Sequence, residues 1–208
     1  MQSNYEKLSE TWREKFLQLD QNSFTGKLPG VRLEQDQILF SYFGKNYRIN
    51  RQSGEITGDD GSVPDANLKL LFYNLFWYSK EGAKFKGRWV PFREVKNASP
   101  FGPAFDAHVL KPFARTFDGQ PDKLEEAAKK LSGIKLPQSD AGYQIPSFDC
   151  IPIRFLFWDG DNEFKAQANI LFDYSVTDFI HVESTVSIAS DGIKRLAKEA
   201  GLDISDSF

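Results

Sequence analysis

The sequence predicts an α+β protein: antiparallel strands at about 31–57 and 143–176, packed with helices, forming a single mixed domain over residues 1–208. Two observations carry this expectation. Strand-like runs fall in two groups instead of alternating one by one with helices, the order of segregated antiparallel sheets and not of a parallel α/β sheet. Apolar residues at 40%, with 19 Phe, supply enough side-chain volume for a core at a length that suits one domain.

The elements follow in chain order. Tyr5, Leu8, Trp12, Phe16 and Leu19 recur at steps of three and four, which predicts an amphipathic helix over 4–19. The run QILFSYFGKNYRINRQSGEITG alternates Ile38, Phe40 and Tyr42 and can turn at Phe43-Gly44-Lys45-Asn46, so it predicts a β-meander. Pro64-Asp65 opens a helix near 65–80 that Gly82 would stop, apolar around much of its circumference and therefore buried on several sides. Residues 82–103 mix Gly and Pro with large apolar side chains, which suggests a packed loop. Phe105, Val109, Phe113 and Phe117 give a helix over 104–117 in which Pro112 should cause a kink or a break. A helix from Pro121-Asp122 ends at Gly133, strands at 151–158 and 169–176 pair antiparallel, and a C-terminal helix spans 190–202.

Composition excludes some function classes. A net charge of −3 offers no basic stripe, so neither nucleic acid nor an acidic membrane surface is an expected partner. The most apolar run, LLFYNLFWY at 70–78, is half the length of a membrane span, and the N-terminus lacks the order of a signal peptide. A lone Cys150 rules out an internal disulfide and suits a reducing cytoplasm. Nothing basic stands beside Cys150, so an inert buried thiol is expected. P-loop, GxSxG, HExxH and Gly-rich dinucleotide patterns do not occur.

Few segments carry chemistry. In WDGDNEFKAQANILFD, Asp159, Asp161 and Glu163 alternate as calcium ligands do, but the twelve-residue frame is missing, and Asp-Gly is a preferred hairpin pair. The turn is the stronger reading, with Asp161 bonding turn amides or Asp173 facing Arg93. Arg88, Trp89, Phe92 and Arg93 in GRWVPFREV combine flat apolar surfaces with guanidinium forks, which suits a planar ligand bearing carboxylates or phosphates; a structural plug is at least as good a reading. His108, Lys111 and Arg115 share a helical face that is either solvated or recognises an anion. His181, beside Glu183, is either a general base or a satisfied structural histidine.

GRWVPFREV, WDGDNEF and the ANILFD run that leads on to His181 together resemble the uncharacterised domain-of-unknown-function family 3786 of anaerobic bacteria and archaea. YEKLSETWREKF and FGKNYRIN fit it too. The matching positions are Gly87, Trp89, Phe92, Arg93, Phe105, Trp158, Gly160, Asp161, Phe164, Phe172, Asp173 and His181. Some relatives carry a cysteine-rich iron–sulfur-type segment ahead of the domain; without it here, the resemblance implies no iron–sulfur role. The anaerobe distribution suggests corrinoid, tetrapyrrole or other redox-cofactor metabolism, by association only.

Three functions are therefore expected, in this order. The first is a soluble accessory domain binding a small anionic or planar ligand, without catalysis, through Arg88, Trp89, Phe92, Arg93, His108, Lys111, Arg115, Asp173 and His181. The second is a protein-interaction module using aromatics around Phe101 and Phe105. The third is a metal- or carboxylate-dependent enzyme using Asp161, Glu163, Asp173 and His181.

Overall fold

The computed structural model describes residues 4–205, so the extreme ends of the predicted 1–208 unit, residues 1–3 and 206–208, lie outside the described residues. The fold is α+β, with two antiparallel sheets. Helix α1 (Asn4–Leu17) comes first, then a short turn into α2 (Phe24–Lys27). Strands β1 (Arg32–Glu34), β2 (Gln37–Tyr42), β3 (Lys45–Asn50) and β4 (Ile56–Gly58) form a meander in sequence order. Helix α3 (Ala66–Tyr78) leads to β5 (Trp89–Pro91), then α4 (Gly102–Phe105), α5 (Lys111–Phe117) and α6 (Pro121–Lys130). Strands β6 (Ile134–Leu136), β7 (Ala141–Phe148), β8 (Ile151–Trp158) and β9 (Gln167–Asp173) follow, then α7 (Val176–Phe179) and α8 (Val182–Ala200). The second sheet has the order β5-β9-β8-β7-β6.

In the meander, the predicted alternation holds: Ile38, Phe40 and Tyr42 are buried. The β2–β3 turn is the two residues Phe43 and Gly44, both at positive φ (47° and 76°), the signature of a right-twisting hairpin turn. Phe43 adopts this unusual conformation while its ring is buried edge-on against Tyr42 at 4.9 Å and its N–H donates to Ser147 O at 2.7 Å. That bond ties the first sheet to β7 of the second.

Helix α3 is capped by Asp65, whose Oδ1 accepts from Leu68 N at 2.8 Å, and it buries Leu71, Phe72, Tyr73, Leu75 and Phe76. It ends at Tyr78, four residues before the expected Gly82 stop. The chain leaves the helix because Lys80 N donates to Asp178 O at 2.9 Å, which draws it onto α7. Gly82, with φ 72°, belongs to the exposed turn beyond.

Near Pro112, where a kink or two short helices are expected, a π-turn over Asp106–Leu110 joins the short helices α4 and α5, with Lys111 N–H reaching Asp106 O. The proline lacks an N–H, so the extra residue is accommodated just before it. Phe105, Val109, Phe113 and Phe117 all stay buried. Three further boundaries depart from expectation. The packed loop 82–103 contains edge strand β5; β9 stops at Asp173; and α8 begins at Val182, not 190. The β-branched, serine-rich start VESTVSIAS gives little helical signal, and it becomes helical because Val182, Thr185, Ile188 and Ala189 are buried along one side. Strand β6 was not expected; it is a short edge with Ile134 exposed.

The second sheet is two-faced. Tyr143, Ile145, Ile153, Phe155, Phe157, Ile170 and Phe172 are buried on its inner face, where Phe113 of α5 meets Phe155 and Phe157 at 5.9 and 6.1 Å. Gln144, Pro146, Pro152, Arg154, Leu171, Trp89 and Pro91 alternate with them, and these are only half-buried. The outer face is the one left partly exposed.

Gly192 sets how closely α8 approaches the inner face: a Cβ there would lie 2.5 Å from the tip of the Phe155 ring and 3.1 Å from that of Phe43. Alanine is ordinarily favoured over glycine in a helix by about 1 kcal/mol, but both rings are buried and overpacking costs about 1–3 kcal/mol. Gly192→Ala should therefore lower stability in urea denaturation by up to about 2 kcal/mol, against its helix propensity.

Candidate functional site

On the outer face of the second sheet, Arg154 of β8 shares a row with Leu171 of β9 and Pro91 of β5, and Trp89, paired with Asp173, stands two residues along β5 on the same face. Arg154 holds its guanidinium over the Trp89 ring at 3.9 Å, and Phe85 meets the same indole edge-on at 5.7 Å. Arg154 Nε donates to Gln144 Oε1 at 3.1 Å. The stack and this one bond fix the guanidinium, while its terminal nitrogens make no hydrogen bond or ion pair with another described residue. Partial burial lowers the Arg154 pKa from its ordinary value, yet guanidinium remains charged at any physiological pH.

Beside Gln144 opens a cleft of about 450 Å³ lined by apolar groups, among them Phe85, Ile134, Pro146, Pro152 and Phe179. That size falls within the range of small-ligand sites, and the site has their usual make-up: apolar walls with a few placed polar groups. A second cation–aromatic stack stands at the end of β9, where Lys86 and Arg88 lie over Tyr174 at 5.7 and 4.5 Å.

Asp173 holds the Phe85–Arg88 segment in place. Paired with Trp89 across the β5–β9 ladder, its side chain lies on the outer face but is 4% exposed, because the 83–88 turn folds over it. Oδ1 accepts from Lys86 N at 3.1 Å, from Ser175 N at 3.0 Å and from the Ser175 hydroxyl, while Oδ2 is buried with no hydrogen-bond partner among the described residues. Tyr174 N donates to Arg88 O at 2.8 Å, completing the attachment. Asp173 thus fixes a loop and does not face Arg93.

The other predicted site residues are dispersed. Phe92 is in the core, stacked on Phe105 at 4.1 Å, so it is the structural plug and not a ligand platform. Arg93 is exposed on the turn Phe92–Glu94. His108, Lys111 and Arg115 are exposed on the side of the helix away from Phe105, Val109 and Phe113. Phe105 is fully buried and Phe101 half-buried against the core, which removes the exposed aromatics expected of an interaction module there. His181 caps α8, its Nδ1 accepting from Glu183 N at 3.4 Å, and it lies 5.0 Å from the Tyr78 ring in a separate groove.

The acidic stretch is a hairpin connection, but not a tight Asp-Gly turn. The last β8–β9 pair is Trp158 with Gln167, leaving an eight-residue loop, and neither Asp159 nor Gly160 has positive φ. Asp161 Oδ1 accepts from Glu163 N and Phe164 N at 2.8 and 2.7 Å, and these amides lower its pKa. Asp159 Oδ1 accepts from Gly119 N at 2.7 Å, pinning the loop to the α5–α6 connection. No group of three His, Cys, Asp or Glu side chains among the described residues has metal-holding geometry.

Sequence reading missed Phe85, Gln144, Pro146, Pro152, Arg154 and Tyr174. Arg154 did leave a signal: it is the one charge inside the otherwise apolar strand IPIRFLFW.

These features define a class, a two-sheet α+β domain with an arginine–tryptophan stack beside an apolar cleft. The chain belongs to the family described as domain of unknown function (DUF3786), whose model matches residues 26–195. No curated protein and no solved structure matches it. Among the described residues no helix is long and apolar enough to cross a membrane.

Two measurements check this geometry. Asp173→Ala removes three hydrogen bonds to one carboxylate oxygen and should cost about 2–4 kcal/mol, with faster hydrogen exchange at the Lys86 amide. Burial pushes the Cys150 thiol up to about 12. Alkylation of the native chain at pH 8 should accordingly run roughly a thousandfold slower than in the urea-unfolded chain, and accelerate with rising pH.

Proposed function

We propose that this chain is an accessory domain that binds a small planar ligand bearing carboxylate or phosphate groups on the outer face of its second sheet, without transforming it. One observation carries the reading: a guanidinium held over an indole at 3.9 Å, its terminal nitrogens without a partner among the described residues, beside an apolar cleft that its neighbours Gln144 and Phe85 line. An apolar planar body would lie against Phe85, Pro146 and Pro152, and an anionic group would pair with Arg154, a fork suited to bidentate contact. Arg88 and Lys86 add cationic charge at the end of β9. Corrinoid, tetrapyrrole and other redox cofactors have this combination of flat body and acidic substituents. The neighbouring thiol, Cys150, is held protonated, which supports binding over chemistry.

The test is a fluorescence titration with flavin mononucleotide and with a carboxylated porphyrin. Saturable quenching of tryptophan emission is expected, with Trp89→Ala and Arg154→Ala each weakening Kd by at least tenfold, about 1.4 kcal/mol. Arg115→Ala should leave Kd unchanged. Equal binding of both probes by wild type and Arg154→Ala, or no binding at all, would overturn the reading.

A further inference from the structure

A larger groove of about 610 Å³ runs between α1, α3 and α8, away from the outer face of the second sheet. Its α1 wall is apolar and uncovered: Tyr5 is 59% exposed and Leu8 42%. These two residues belong to the predicted apolar stripe of α1, but only the Phe16 end of that stripe is buried. The opposite wall is a charged ridge of α8. Glu183, Ser187, Asp191 and Arg195 line the groove at every fourth residue, with Lys194 beside the last.

That spacing has a symmetry. Laid antiparallel against a copy of itself about Ala189, the ridge brings Glu183 opposite Arg195 and Ser187 opposite Asp191, and each pairing occurs twice. Such self-complementarity is the requirement for a two-fold interface, in which residue i meets j and j meets i. The cationic end is free to take it. Arg195 lies over Tyr42 and Phe43 at 5.0 and 5.3 Å, its Nε is buried without a hydrogen-bond partner, and Lys194 is exposed. At the acidic end, Glu183 is exposed, its one ionic neighbour among the described residues being His181 at 3.7 Å, a pair only when the imidazole is protonated. Asp65 and Asp191 are engaged within the chain, with Leu68 N at 2.8 Å and the Tyr42 hydroxyl at 3.1 Å.

We infer that the groove is occupied by a second copy of this chain, each copy's α8 ridge entering the groove of the other. The four helices then lie in the order α1, α8 of the second copy, α8, α1 of the second copy. Tyr5 and Leu8 are covered, and Glu183 pairs across the dyad with Lys194 and Arg195. A two-fold dimer is the commonest closed assembly, and a half-apolar, half-charged groove fits one better than it fits a small anion.

Sedimentation velocity on the full chain across micromolar concentrations tests this. Wild type should dimerise, and Glu183→Lys or Lys194→Glu alone should weaken dimerisation by at least tenfold, about 1.4 kcal/mol. The double variant, with the two charges exchanged, should return close to wild type. Circular dichroism confirms that each variant is folded. Should a charge variant fail to fold, Ser187→Cys with a short bis-maleimide gives an independent reading, because the two sites lie only about 6 Å apart along the helix axes in this register. A monomeric wild type overturns the inference, as does a dimer indifferent to the single reversals, a double variant that stays weakened, or no cross-linked dimer. None of these results bears on the sheet-face site, which Arg154→Ala tests separately.

Discussion

Phe72 stands where the two sheets meet. Its ring touches Phe40, Tyr42 and Tyr47 of the meander at 4.9, 5.3 and 4.8 Å, and Phe148 of β7 at 6.0 Å. Phe148 in turn lies 4.7 Å from Tyr42, so one α3 side chain closes an aromatic cluster drawn from both sheets. Each such ring removes an area from water worth about 1.5–3 kcal/mol, and the preferred edge-on and tilted geometries fix orientation as well as contact. The Phe43–Ser147 backbone bond spans the same seam. With α3 anchored there, α1 packs against it through Phe16, Tyr73 and Phe76, and α8 occupies the remaining side. Both the groove and the free outer face of the second sheet are consequences of which surfaces this cluster consumes.

A division of labour among charged residues follows. Asp65, Asp159, Asp161 and Asp173 all direct a carboxylate oxygen at backbone N–H groups, at a helix start, a loop junction, a turn and a buried loop. They fasten backbone, which accounts for an acid-rich stretch that builds no metal cage. Three arginines are held differently: Arg88, Arg154 and Arg195 lie over aromatic rings, at 4.5, 3.9 and 5.0 Å. The arginine–aromatic pairs are what the proposed binding reading rests on, and Asp173 secures the loop that carries Lys86 and Arg88.

Much of the fold was legible because its signals are local. Alternation at Ile38, Phe40 and Tyr42, the four-residue steps from Phe105 to Phe117, and the Asp65 cap each follow from neighbours within one or two turns of chain. The site was harder to read. Trp89 and Arg88 were legible from GRWVPFREV, whereas Phe92 in the same stretch was drawn into the core by Phe105. His108, Lys111 and Arg115 do share a helical face, but the sheet lies on the other side of that helix. Arg154, the central cation, meets Trp89 only because β9 pairs with both β8 and β5.

The sequence by itself determined that the chain is α+β and where most helices and strands lie, since both depend on periodicity; for Asp161 it offered turn-amide bonding only as one of two alternatives, which the bonds to Glu163 N and Phe164 N decided. Only the tertiary structure decided which face of the second sheet stays open, that Asp173 secures a loop instead of meeting Arg93, and that α8 starts at Val182. These are questions of long-range pairing and of which apolar surfaces find one another first, and no local pattern records their outcome.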